Sequence, residues 1–471
     1  MGISKPRKVA VVGGGLTGIA SFWALRGSNF DVHLFEASPT LGGHIKTLAL
    51  ENNGNQIQVD TELPTFNPIA CPNLTSLLRY LKIPTTEVPF SFGVLDNTSV
   101  FKWHIKPISE NAGLQDSTER YLQEKGYPNR FRDRYLTPLL SALWRTNAGK
   151  FLPNLPVKVL AHSLHEHQLL SMCENMPKWR RIDPGVRYLV DAIAKDFPLE
   201  RLHLQTKVNE IVRRSKSQYD LLTSDGKYSR FDHVILTVDG PEILRLLCST
   251  VTEEESHVLQ SLAVTRNIAV LHSDFPATTD RVAPDYEFIK SSSNYRRRDL
   301  VPPKFCSRYD VNALQDIPAS RFGEVFITFN LLSPPHPSLV QGIWEFTEPE
   351  PSADSLDAQS RLALIQNTRG LSYGFCWTGR GLLEDSITSG LRIAVEDLGA
   401  TVPFDVTFHP HPLDSPEFSY KHSGLRYNLV RTALEAVRTV VLVLEIVLLL
   451  LGRIEAPVLK TRAPLDRASR I

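Results

Sequence analysis

The segment that most constrains the fold of this chain is residues 8–47, KVAVVGGGLTGIASFWALRGSNFDVHLFEASPTLGGHIKT. It opens on a short apolar run, Val9-Ala10-Val11-Val12, of the length and composition of a buried parallel strand. Glycines follow at Gly13, Gly15 and Gly18, and an apolar helical segment then runs through Leu25. A second strand over 31–35 ends on the acid Glu36. Strand, glycine-rich turn, helix, strand and acid come in the order that a dinucleotide-binding unit requires. Gly13 permits the tight turn, Gly15 lets backbone approach a pyrophosphate, and Gly18 lets the helix lie close to the sheet. The free N–H groups at the helix N-terminus favour phosphate, and Glu36 stands where a carboxylate can accept ribose hydroxyls.

Six residues beyond Glu36 the chain reads Gly42-Gly43-His44. Read locally, a glycine pair marks a turn between strand and helix. The pair also resembles the second glycine pair of FAD enzymes in the flavin amine oxidase, protoporphyrinogen oxidase and phytoene desaturase superfamily. There it lies beside the pyrophosphate and ribityl chain, so the resemblance implies FAD rather than NAD. Further runs are similar to a subgroup of FAD proteins related to these oxidases and desaturases. They are Asp60-Thr61, Phe66-Asn67, Pro72-Asn73-Leu74, Ser91-Phe92, Trp144, Trp179 and Asn312-Ala313-Leu314-Gln315. Val208 matches the position whose backbone contacts adenine in relatives. Phe375-Cys376, Gly379-Arg380-Gly381, Glu384-Asp385 and Ser389-Gly390 resemble the closing flavin motif, which sets N–H groups and an acid against the ribityl and flavin. The resemblance covers about residues 8–400.

The expected cofactor residues are therefore Gly13, Gly15, Leu16, Thr17, Gly18, Glu36, Ala37, Gly42, Gly43, His44, Val208, Gly381, Glu384 and Asp385. The sequence also departs from the family. Glu62 stands where relatives have glycine near the flavin, and a paired glycine is reduced to Pro184-Gly185. The closing motif is shorter between Cys376 and Gly379, and Phe22 replaces a small residue of the first helix.

The resemblance and the interleaved patterns imply an α/β fold. Its core is a Rossmann-like FAD-binding domain with an inserted mixed α+β substrate domain, followed by a C-terminal hydrophobic helix. The FAD domain is expected over 1–100, 191–250 and 351–405, with the substrate domain over 101–190 and 251–350. A polar hairpin is expected over 50–59, turning at Asn53-Gly54, and strands over 208–213, 219–223 and 228–231. Residues 250–350 read as irregular and proline-rich. A linker over 406–430 leads to the helix over 431–455 and a basic tail over 456–471.

Charge is balanced, with 52 basic and 51 acidic side chains, and no basic stripe interleaved with aromatics speaks for nucleic acid. The five cysteines are scattered and form no CxxC, which argues against a disulfide framework or a zinc site. With the first strand beginning by Lys8, no signal peptide is expected, and the chain reads as cytoplasmic. The apolar run over 439–451 contains Glu445 and is short for a membrane span. Three readings stay open for it: an interfacial helix on a cytosolic membrane face, a buried packing helix, or a span.

For chemistry, His162-Ser163-Leu164-His165-Glu166-His167 lacks the spacing of a zinc helix. His162 and His165 read as a solvated face. His167 falls where relatives have a histidine in the substrate domain, and is the candidate to move a proton at the substrate. Cys376 reads as a structural thiol, and the run Arg296-Arg297-Arg298 as a solvated turn. The expected activity is removal of hydride from an apolar, lipid- or isoprenoid-like small molecule. Amine oxidation and non-catalytic FAD binding are the alternatives.

Overall fold

The structure is a computed structural model that describes residues 6–408 except 53, 63, 89–91, 96–116, 147–148, 150–151, 168–178, 217, 275–285, 290–305, 332 and 380. The expected arginine run at 296–298 and the apolar run at 439–451 lie outside the described residues. Five strands form a parallel sheet: β1 (Lys8–Val12), β2 (Asp31–Phe35), β3 (Leu202–His203), β4 (His233–Leu236) and β5 (Leu371–Tyr373). Their spatial order is β5-β4-β1-β2-β3, with every pair parallel. The fold is thus mixed α/β with a Rossmann-like unit at its start.

The continuous apolar character of β1 follows from burial on both faces. Val9 and Val11 join the core with α1 (Leu16–Leu25), whereas Ala10 and Val12 face Val208, Leu221 and Ile243 on the other side. Burial is complete along α1 because it is covered twice. One side lies on the sheet, and the other meets α4 (Leu383–Arg392), which follows α2 (Pro72–Tyr80) and α3 (Val157–Glu166) in the chain. A Cβ on Gly18 would collide with the carbonyl oxygen of Gly13, and one on Gly390 with that of Thr17. Both helix contacts therefore need glycine.

A second sheet of six strands runs Val340–Pro349, Val264–His272, Phe326–Phe329, Ser307–Asp310, Tyr286–Ile289 and Phe92–Leu95. It lies in the same core as Leu139 and Leu140 of helix Thr137–Trp144 and Leu160 and Leu164 of α3. Most of it falls where the sequence reads as irregular. The reason is visible in Val264–His272, whose polarity is inverted: Asn267 is buried while Ile268 is half exposed. The period-2 signal is thereby erased.

The motif runs act as long-range clamps. The hairpin Thr47–Asn52 and Asn55–Asp60 ends at Asp60, whose backbone N–H donates to Gln315 Oε1 at 2.9 Å. Gln315 Nε2 donates back to the Asp60 carbonyl at 2.8 Å. Arg187 N–H donates to the Asp60 carboxylate at 3.0 Å, and a Cβ on Gly185 would strike that same carboxylate. Removing the Gln315 amide by Gln315→Ala leaves a buried N–H and C=O of Asp60 unsatisfied. The expected cost is about 1–3 kcal/mol, read as a lower midpoint in urea unfolding with unchanged slope.

Candidate functional site

The two glycine motifs, 24–30 residues apart in the chain, meet at the N-terminus of α1. Gly42 N–H donates to the Gly14 carbonyl at 2.8 Å, and Gly15 bridges to Gly42 in parallel register. Gly13 at φ +110° and Gly42 at φ +119° hold backbone conformations that side chains resist. A Cβ on Gly15 meets nothing within 4 Å, so open space lies before the helix end. No side chain caps that end, and its first turn holds no acid. Thr17 Oγ1 is buried there without a hydrogen-bond partner. An uncapped helix start with an orphan hydroxyl and open space at a glycine fits a pyrophosphate.

Glu36 closes the other side of the turn. Its carboxylate accepts Gly14 N–H at 2.6 Å and Ser38 N–H at 2.7 Å, and each oxygen keeps lone-pair capacity for a further donor. Ala37 links these contacts. The Glu36 carbonyl accepts Thr206 N–H at 2.8 Å, which brings the chain leading into Val208 alongside. Val208 itself is buried at the start of strand Val208–Ser215.

The closing motif packs onto the same helix. A Cβ on Gly374 would sit 3.3 Å from Thr17 Cγ2, and Ser21 Oγ donates to the Gly390 carbonyl at 3.1 Å. Its two acids have separate tasks. Glu384 accepts the N–H groups of Asn73 at 3.0 Å and Leu74 at 2.8 Å, capping the start of α2. Burial lifts its carboxyl to about 7, against those two hydrogen bonds. Asp385 accepts Leu382 N–H at 2.9 Å and stands directly over Gly379. Gly381, at φ +88°, turns the chain between them. Both acids also line a cleft of about 500 Å³ between α4 and helix Ala353–Ile365. Cys376 is buried, and burial pushes its thiol well up, as suits a structural cysteine. Tyr373 belongs to the core, its hydroxyl donating to Glu255 at 2.7 Å.

Glu62, the departure beside the flavin motif, is answered by Arg145. Nη1 of Arg145 reaches the two Glu62 oxygens at 2.7 and 2.8 Å, and Nη2 reaches Glu348 at 2.5 Å. Arg145 ends helix Thr137–Trp144 in the left-handed region, φ 49°, and Asn267 holds its carbonyl at 2.9 Å. One cation thus faces two carboxylates in a buried place, so one carboxylate keeps its proton. That one is Glu348, which burial lifts to about 8 against the pull of Arg145. His44, at the edge of the cluster, is lowered to about 4 by desolvation first and Arg145 second. Neither Arg145 nor Glu348 stands out in the sequence. The usable signal is Glu62 itself, since a buried anion demands a cation.

Against this cluster lies a cavity of about 100 Å³, walled by Phe66, Leu139, Trp144, Trp179 and Leu382 with Glu62 and Arg145 at one side. His167 lines it too. The imidazole is 3% exposed, and burial holds it down to about 4. Asn67 Nδ2 donates to the His167 carbonyl at 3.0 Å, which explains the Phe66-Asn67 run. His162, expected on a solvated face, is instead buried, because α3 lies between the sheet core and the larger cleft. Among the described residues no group of His, Cys, Asp and Glu could hold a metal. Among them, no helix is long and apolar enough to cross a membrane.

Two family models match the chain: an NAD(P)-binding Rossmann-like domain over residues 11–81, and a flavin containing amine oxidoreductase over 102–279. An L-amino-acid oxidase of Pseudechis australis is 23% identical over 336 residues, covering 69% of this chain and 58% of that protein. The chain thus spans under two thirds of that relative. A carotenoid phi-ring synthase of Chlorobaculum tepidum is 45% identical over 58 residues, 12% of this chain and 9% of that one. The solved cyclohexylamine oxidase of Brevibacterium oxydans shares the fold at TM-score 0.59 and 13% identity, over 83% of this chain and 98% of that one. Residues 102–279 thus match a flavin containing amine oxidoreductase model and residues 11–81 a Rossmann-like one, and the uncapped glycine corner at the start of α1 fits the pyrophosphate of the FAD that such a flavin match supports.

Replacing Arg145 by Met leaves two carboxylates to share a buried space without their cation. The expected loss is about 3–5 kcal/mol in urea unfolding, with part of it recovered in the Glu62→Gln, Arg145→Met double variant. A pH dependence follows from the carboxyls. Raised native values mean that the folded chain holds protons the unfolded chain has released, so stability falls as pH rises. His44, His167, His233 and His272, each lowered to about 4, act oppositely, and their contribution is nearly complete only about one pH unit above the ordinary imidazole value of 6.5. Unfolding free energy should therefore decline from about pH 7 to 8, and Glu348→Gln should flatten the decline.

Proposed function

We propose that this chain is an FAD-dependent oxidoreductase that removes hydride from an apolar small molecule, of the desaturase or oxidase type. The observation carrying the reading is the meeting of Gly15 and Gly42 at an uncapped helix end, with an apolar cavity beside the closing motif. In this reading Gly13, Gly15, Leu16, Thr17 and Gly18 hold the pyrophosphate with Gly42, Gly43 and His44. Glu36 and Ala37 take the ribose, and Val208 the adenine. Gly381 and Asp385 face the ribityl and flavin side, while Glu384 fixes α4 to α2. Bound FAD supplies the hydride acceptor, and the protein's part is to position the substrate C–H and exclude water. The apolar walls exclude water, and the neutralised Glu62–Arg145 pair keeps charge from the reacting carbon.

An amine substrate is the second reading, favoured by the family model and by the fold shared with cyclohexylamine oxidase. An α-amino acid fits less well. Its carboxylate needs a cation, and Arg145 is already bridged to two carboxylates. A long lipid would enter the cavity by one end only, given its size. Contact of the apolar segment over 431–455, a helix by sequence expectation, with a cytosolic membrane face would suit such a substrate.

The test begins with flavin retention. The purified chain should carry flavin that heat releases into the supernatant. Gly15→Val should fold, because its side chain meets open space, yet purify colourless. Glu36→Ala should weaken retention by about 10- to 100-fold through one lost charge-assisted contact. Full flavin in both variants, or a flavin that no apolar substrate or amine bleaches under anaerobic mixing, would sink the proposal.

A further inference from the structure

His167 is held in a way that its own fold does not use. It follows the last turn of α3, where its N–H donates to the Ser163 carbonyl at 3.2 Å. Its carbonyl accepts from Asn67 at 3.0 Å, and its ring lies over Trp179 at 6.3 Å between centroids, 26° between planes. Backbone and ring are thus pinned from three sides. Yet both ring nitrogens, Nδ1 and Nε2, are buried without a hydrogen-bond partner. Leaving a buried polar atom unpaired costs about 1–3 kcal/mol, so a pinned ring with two such atoms calls for a partner from outside the chain.

The cavity that this ring lines limits what the partner can be. Among its described lining residues, Glu62 and Arg145 carry the charge, and they neutralise each other at 2.7 Å. The remaining wall is chiefly Phe66, Leu139, Trp144 and Leu382. A charged ligand would bury its charge against this wall with its natural counterion already bridged. We infer that the cavity is a binding site for a small uncharged molecule, mostly apolar, whose single hydrogen-bonding group meets the imidazole of His167. This deepens the reading of the cavity as the substrate site and rests on it.

The chemistry matches a hydroxyl well. A neutral imidazole presents one N–H and one lone pair, and a hydroxyl both donates and accepts, so one group can engage either nitrogen. The groups facing the ring electrostatically are Asp385, which favours its protonation, and His162, which opposes it. Desolvation outweighs both, and the ring stays uncharged at neutral pH. In this inference His167 serves as a neutral hydrogen-bond partner that positions the ligand. An engineered cavity of about 150 Å³ takes benzene, so about 100 Å³ suits roughly four to five non-hydrogen atoms.

The experiment is ligand-observed NMR titration of the flavin-loaded chain with four probes of about five non-hydrogen atoms each: tert-butanol, isopentane, tert-butylammonium and propionate. Wild type should bind tert-butanol at least about tenfold more tightly than either ion, a difference of about 1.4 kcal/mol. His167→Phe should weaken tert-butanol by about tenfold while isopentane binds as before or better. Ala142→Phe, which fills the cavity from its wall, should abolish binding of both while flavin is retained. If His167→Phe fails to fold, the probe series on wild type and Ala142→Phe decides. Equal binding of an ion and the alcohol, an alcohol affinity indifferent to His167, or no binding at all would overturn the inference. His167-dependent binding in a chain that never takes flavin would overturn the redox reading alone.

Discussion

Everything in this molecule depends on how closely α1 can approach its neighbours. The helix is squeezed between β1 and α4, and at both contacts the carbonyl oxygens leave no room for a side chain at Gly18 or Gly390. Close approach points the free N–H groups of the helix start into the space before Gly15, and it carries the closing motif to within contact of Thr17. Bringing Gly42 beside Gly15 completes the same corner from a third direction. Three stretches of sequence, around residues 13–18, 42–43 and 374–390, thus converge on one helix end. Backbone, not side-chain chemistry, makes that corner receptive to phosphate.

The region beyond that corner is governed by charge. Glu62 would be untenable beside a buried site without a counterion. Arg145 supplies it from the end of a helix turned sharply by a left-handed residue, and Asn267, from the inward face of a strand, fixes the turn. Asn330 in turn donates to Asn267 at 2.8 Å, so the polar residues inside the second sheet form a scaffold for one cation. The small cavity inherits from this a wall that is ionic in composition and neutral in effect.

How much of this was legible in the sequence depends on distance along the chain. The turn at Gly13–Gly18, the acid Glu36 and the hairpin ending at Asp60 are local patterns, and local patterns survive in a linear reading. The parallel sheet follows from the same apolar runs and from the family resemblance. The six-stranded sheet was not legible, because Asn267 faces inward and Ile268 outward, reversing the expected alternation. Arg145 was missed for a different reason. Nothing near it in sequence marks it, and its meaning arises only when Glu62, 83 residues earlier, is folded against it. The motif runs around Asn67 and Asn73 could be recognised, but their tasks, holding His167 and receiving α4, are properties of packing.

Charge balance in the buried cluster leans on where Glu348 stands. Burial is the largest influence on its carboxyl, ahead of the pull of Arg145 and the smaller push of Glu62. Glu348 therefore keeps its proton chiefly through its place in the second sheet, and Arg145 is left to answer Glu62. An anion at position 62 is tolerated because a neighbouring acid has been silenced by the fold, and the cavity wall carries a carboxylate without carrying a net charge.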